Sequence, residues 1–279
     1  GYEIGPDLFV CGEPITSTGG HCHYMGGECD GAEDLRRRVR ALQKRGADYI
    51  KLMATTGGTR GAAKGDTFSK EELAAAAQEA HRRGLKIAMH AVYPAGVRLA
   101  LEAGCDGVEH CTFVENGRVV RDRALAEEII RRGALPCHTL AVKTGRLATL
   151  RAKAASERTA AEDAELEQAK RNVELSVEMV RFQLELGVPS MVGSDAGWRY
   201  ATFRDGMQLS MELLREAGMA NGEIIRSATS LTAGWLGAGD RLGRVAPGFQ
   251  ADLLLLEGDP GEDISAFRKI RRIFKKGIE

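Results

Sequence analysis

Four side chains of the 279-residue chain are placed for metal or proton chemistry. Lys51 lies in the middle of "DYIKLMAT", His90 and His110 end "KIAMH" and "GVEH", and Asp195 closes "VPSMVGSD". Each falls inside or at the end of a short apolar run of strand length. An unpaired ammonium among apolar neighbours is costly, so a lysine in such a run loses its proton or finds an anion. A neutral lysine can take up carbon dioxide, and the carbamate is an anionic oxygen ligand able to bridge two cations. With two imidazoles and a carboxylate it makes a mixed nitrogen and oxygen donor set that suits zinc, manganese, cobalt or iron. Other uses stand beside this one. A histidine at a strand end is often a hydrogen-bonded structural residue, an Asp after Gly-Ser can cap the next helix, and a desolvated lysine can act as a Schiff-base nucleophile.

A second group is local. "GGHCHYMGGEC" (19–29) brings together His21, Cys22, His23 and Cys29. Adjacent residues of an extended strand point to opposite faces, so a zinc site built from His21, His23 and either cysteine requires the tight turn that Gly26 and Gly27 allow. Tyr93, three residues past His90, is placed to hydrogen-bond a substrate, or else packs on the rim. His138 in "LPCHTL" ends another strand and serves either a substrate or the core. "GGTRGAAKGD" (57–66) lacks the Gly-Lys-Ser/Thr ending of a phosphate loop and reads as a loop near the substrate.

The elements that must position these residues alternate. Strands are expected at residues 8–11, 48–53, 86–91, 107–110, 134–137 and 188–193, separated by helical patterns, the form of repeated βα units on a parallel sheet. Ser69 and Glu72 form a capping-box signal for the helix before "LKIAMHA", and Gly84 sits where a left-handed residue ends it. Residues 140–171, rich in Ala, Arg, Lys and Glu, read as an exposed helical insertion leading into a long helix through Leu186. After Trp235 the pattern turns to strand and turn. This predicts an α/β body over residues 1–235 and a β segment over 236–279. In a parallel barrel all strand C-termini open on one face, so Lys51, His90, His110 and Asp195 would converge there.

Composition narrows the partners. Lys and Arg number 39 and so do Asp and Glu, giving no basic field for nucleic acid or anionic lipid. No apolar run approaches the roughly 20 residues of a membrane span, and the first residues lack a signal-peptide pattern. Six cysteines in a chain this long do not make a disulfide framework, so reduced thiols and a cytoplasmic location are expected.

"GADYIKLMATTGG", "KIAMHAVYPAGVRLALEAGCDGVEHC", "GVPSMVGSDAG" and "RLGRVAPGFQADLLLLEGDP" together resemble the amidohydrolase superfamily, in particular its imidazolonepropionase-like and dipeptidase-like branch. The resemblance implies a (β/α)8 TIM-type metal-dependent hydrolase barrel with part of a small β-sandwich at the C-terminus. It makes Lys51 the bridging carboxylated lysine, His90 and His110 ligands of the second metal, and Asp195 a ligand of the first metal that also shuttles the proton. His21, Tyr93 and His138 become substrate-facing residues. The cofactor implied is one or two divalent ions, zinc foremost. The reaction is hydrolysis of a C–N bond in a dipeptide, an N-acyl amino acid or a cyclic amide by metal-activated water. One feature departs from the family: its His-x-His pair on the first barrel strand has no counterpart here. About two barrel strands and half of the sandwich are therefore expected to be missing, and a catalytically incompetent fragment is the alternative function. Such a barrel exposes sheet edges, which predicts a homo-oligomer.

Overall fold

The computed structural model describes residues 5–57, 65–197 and 201–279. The strands in chain order are β1 (Ile50–Met53), β2 (Ile87–His90), β3 (Gly107–Glu109), β4 (Val114–Glu115), β5 (Arg118–Val119), β6 (Leu135–His138), β7 (Met191–Val192), β8 (Leu253–Leu256) and β9 (Ile270–Phe274). The α-helices are α1 (Ala32–Lys44), α2 (Lys70–Arg82), α3 (Pro94–Ala103), α4 (Arg123–Arg132), α5 (Gly145–Arg151), α6 (Ala160–Glu185), α7 (Gly206–Glu216), α8 (Asn221–Arg226) and α9 (Thr232–Trp235). None of the described helices is long and apolar enough to cross a membrane. Two compact units partition these elements: residues 1–115, 120–137 and 186–189 form the first, residues 116–119, 138–185 and 190–279 the second. Residues 236–279 thus share the second unit with the helices that precede them.

In the first unit β1, β2, β3 and β6 pair side by side, all parallel. Their apolar runs are buried, β2 along its whole length, because the faces of a parallel sheet with helical crossovers are both covered. Lys51 pairs with Ala88 and Met53 with His90, so the period of two puts the Lys51 and His90 side chains on the same sheet face. The capping box at the start of α2 forms as expected: the Ser69 N–H donates to Glu72 Oε2 at 2.8 Å and the Glu72 N–H to Ser69 Oγ at 3.3 Å. Gly84 ends α2 at φ +69°, where a side chain would be strained.

The strand expected at residues 8–11 does not form. Leu8 and Val10 are exposed, and Val10 is tied to Asp48 by backbone and carboxylate hydrogen bonds instead. The chain joins β1 only at Ile15, whose N–H donates to Lys51 O and whose carbonyl accepts from Met53 N, both at 2.8 Å. Gly12 at φ +68° and Pro14, which has no N–H to donate, break the run between these points.

In the second unit the insertion is helical, as predicted: a 3-10 turn at Leu140–Lys143, then α5, then the 26-residue α6 ending at Glu185. Leu147, Leu150, Leu166 and Ala169 make a small core between α5 and α6. β7 follows. β8 and β9 pair antiparallel with a register shift between Leu255 and Leu256, giving the β segment expected after Trp235.

Candidate active site

In the first unit the imidazoles converge. The ring centroids of His21 and His90 lie 4.5 Å apart and those of His90 and His110 4.8 Å apart, tilted and edge-on respectively. His90 is the last residue of β2 and His110 follows β3, with its N–H donating to Cys137 O at 3.0 Å. His110 and Cys111 both have positive φ, 65° and 44°, an uncommon backbone for side-chain-bearing residues that is over-represented at functional sites. Lys51 is half-buried and its charge reaches His21. Burial first, and that ammonium second, hold the His21 imidazole below its ordinary pKa, so the ring stays neutral.

Of the loop expected near the substrate at 57–66, residues 58–64 lie outside the described residues; Thr55, Thr56 and Gly57 before them meet this group, and Asp66 after them meets Tyr93. His90 Nε2 lies 3.2 Å from the Thr56 carbonyl, which can only accept, so Nε2 donates there. Gly57 lies flat on the His21 ring, since a Cβ there would come within 2.3 Å of Nε2. The Val92 N–H donates to Thr55 Oγ1 at 3.3 Å, and Tyr93 donates its hydroxyl to Asp66 Oδ1 at 2.6 Å. Burial and that carboxylate keep the Tyr93 phenol protonated far above neutrality. Gly57 and Asp66 bound the stretch 57–66 read as a loop near the substrate, whereas Thr56 acts through its backbone carbonyl and carries no sequence signal.

The local cluster at 19–29 does not assemble. His21 turns to His90, Cys22 adopts φ +61° with its Sγ 3.5 Å from His21 Nε2, and His23 opens a 3-10 turn beside Tyr24. Burial raises the Cys29 thiol to about 11, unsuited to a thiolate ligand. Among the described residues no three His, Cys, Asp or Glu side chains are placed to hold an ion. The donors that the first unit brings together are His90 and His110, their rings 4.8 Å apart, with Lys51 on the same sheet face as His90.

The second unit holds the remaining residues. Asp195 follows β7 at φ +52° and is exposed. It does not cap the next helix, since α7 starts after Asp205. His138, 1% exposed, has both ring nitrogens engaged: Nδ1 with Ser190 Oγ at 2.6 Å and Nε2 with Gln183 Oε1 at 2.8 Å. Burial pushes its pKa down to about 4. That is the structural use, the reading that competed with substrate contact.

The amidohydrolase family profile matches residues 2–278. An ochratoxinase of Aspergillus niger is 26% identical over 302 residues, covering 98% of this chain. The chain spans 59% of the length of that enzyme. A solved Xaa-Pro dipeptidase with methionine bound in its active site superposes with a TM-score of 0.82 at 26% identity, covering 99% of this chain and 68% of that one. A prolidase complexed with N-methylphosphonate-L-proline gives 0.77 at 25% identity, with 98% and 69% covered. A family match from end to end, on a parallel βα sheet with this order of motifs, leaves one conclusion: the chain belongs to the amidohydrolase family, with that family's TIM-type fold.

Proposed function

We propose that the chain carries the catalytic part of a metal-dependent hydrolase of C–N bonds, acting on a dipeptide first, or an N-acyl amino acid or cyclic amide. The His21, His90 and His110 rings, in contact one after another, with Lys51 acting on His21, carry this reading. His90, His110 and Lys51 as its carbamate would hold one ion, zinc by preference, and Asp195 would be a ligand of the other, the division that the family resemblance implies. A divalent ion there supplies Lewis acidity to a carbonyl and to water. The chain's own residues do the rest. Asp195 takes the proton from the attacking water as the C–O bond forms, and returns it to the leaving nitrogen as the C–N bond breaks. His21, neutral and buried against His90, borders the substrate and offers a nitrogen for hydrogen bonding. Tyr93, in the loop that begins beside His90, would orient a substrate carboxylate or carbonyl by turning its hydroxyl from Asp66 to the substrate. His138 is left to the core. The dipeptide is put first because two of the similar structures are an Xaa-Pro dipeptidase and a prolidase.

The test is metal content by elemental mass spectrometry, with hydrolysis of a Gly-Pro and Met-Pro dipeptide set, on protein purified without chelator. About one ion or more per chain is expected, lost in His90→Ala/His110→Ala and kept in His21→Ala/His23→Ala. Asp195→Asn should lower kcat at least 100-fold with the ion retained in part. Metal that leaves with His21 and His23 sinks the site. Since the chain spans 59% of the ochratoxinase, metal binding without turnover of any amide would favour the second reading, an incompetent fragment.

A further inference from the structure

β7 is only two residues long, yet the segment that follows it must hold Asp195 at φ +52°. So short a strand fixes little by its ladder, and hydroxyl groups do the fixing. At its start Ser190 O accepts from Ser227 Oγ at 2.6 Å and Ser190 Oγ meets His138. At its end Gly193, two residues before Asp195, donates its N–H to His138 O at 3.3 Å, and its carbonyl accepts from Ser210 Oγ at 2.8 Å. Ser210 lies on α7 and is fully buried. The same Oγ accepts from Ala141 N at 3.1 Å, in the 3-10 turn Leu140–Lys143. One hydroxyl thus ties together the approach to Asp195 and the turn whose Lys143 charge acts on the same carboxylate. α7 also packs against the segment through Gly206, where a Cβ would meet Ser194 Cβ at 3.0 Å.

We infer that Ser210 is a positioning residue for Asp195: its hydroxyl, bonded at once to the Gly193 carbonyl and the Ala141 N–H, sets the place from which the Asp195 carboxylate handles the proton. The inference rests on the reading of Asp195 given above. In Ser210→Ala the carbonyl and the amide both lose their partner in a buried setting, and the segment relaxes. A displacement of about 1 Å at a reacting group can cost on the order of 100-fold in rate.

The experiment compares Ser210→Ala with Ser227→Ala by steady-state kinetics on the dipeptide set and by amide hydrogen exchange of residues 193–196. Ser227→Ala removes an equivalent buried hydroxyl bond at the far end of the same strand, so it reports a merely structural loss. In Ser210→Ala, kcat should fall about 10- to 100-fold with KM within about threefold, and the Ser194 and Asp195 amides should exchange at least tenfold faster. Ser227→Ala should leave kcat and those amides within about twofold. Ser210→Cys, which keeps the volume and a weak donor, should lie between the wild type and Ser210→Ala, and it serves if the alanine variant does not fold. Unchanged exchange at Asp195 in the Ser210 variants, or an equal fall of kcat in Ser227→Ala, overturns the inference. A wild type that hydrolyses no amide defeats the proposed function, while the exchange of the Asp195 amide still decides whether Ser210 pins it.

Discussion

At the residue scale the same side-chain type serves opposite ends in the two units. His90 meets the Thr56 carbonyl and touches the rings of His21 and His110, whereas His138 spends both nitrogens on Ser190 and Gln183. The difference has a pH signature. His138 is neutral in the fold with a pKa of about 4, against about 6.5 in an unfolded chain. The unfolded state therefore binds a proton first as pH falls, so this residue's stabilisation is complete above pH 6.5 and is lost between there and pH 4. From pH 7 to 5 the loss is about 2 kcal/mol. Urea denaturation at both pH values should show that loss in the wild type and not in His138→Asn; equal losses in both proteins would remove His138 as the cause. Lys51, His90 and His110 stand out in the sequence as candidates because each is a polar residue ending or interrupting an apolar run. Whether a strand-end histidine faces a ligand or the core was not legible, since Gln183 and Ser190 lie far along the chain from His138.

At the scale of elements, the parallel strands and the helix boundaries followed from local chemistry. Ser69 with Glu72 starts α2 and Gly84 ends it, and each strand from β1 to β3 lies within its predicted range. The miss at residues 8–11 shows the limit: "LFVC" has strand composition, but Gly12 and Pro14 displace the sheet contact to Ile15. Also invisible in the sequence was Glu79 on the inner side of α2. It is 1% exposed and accepts from Arg40 (2.9 Å), Arg83 (2.8 Å) and Arg82, binding α1 to α2. These guanidinium groups, Arg40 foremost, hold its carboxyl well below the ordinary range. Breaking a buried ion pair costs about 3–5 kcal/mol, and partly exposed arginines reduce this, so Glu79→Gln should lose about 2 kcal/mol at pH 7. The depressed carboxyl contributes above its unfolded value of about 4.3 and progressively less as pH falls below it, so the gap to the variant should shrink towards pH 3. A change under about 0.5 kcal/mol at pH 7 in denaturant unfolding would show that the arginines alone suffice.

At the scale of the whole molecule, charge and exposed apolar surface act together. Equal numbers of basic and acidic residues leave no net charge at pH 7, so long-range repulsion between copies is weak. The hairpin of β8 and β9 leaves Leu254 and Ile273, paired across the strands, 48% and 60% exposed, with Val245 and Ile278 exposed as well. Two neighbouring large aliphatic side chains on a two-stranded sheet, with a strand edge beside them, favour self-association. The homo-oligomer expected from the sequence would then depend on this hairpin and on pH. Light scattering of the purified chain should show association strongest near pH 7 and weaker about two pH units to either side. Leu254→Lys/Ile273→Lys should lower the apparent mass at pH 7 without altering metal content, because β8 and β9 carry none of the proposed ligands. A double variant that associates as strongly as the wild type would move the contact elsewhere, and a monodisperse wild-type monomer would show that neutrality and this hairpin are together too weak to join two copies.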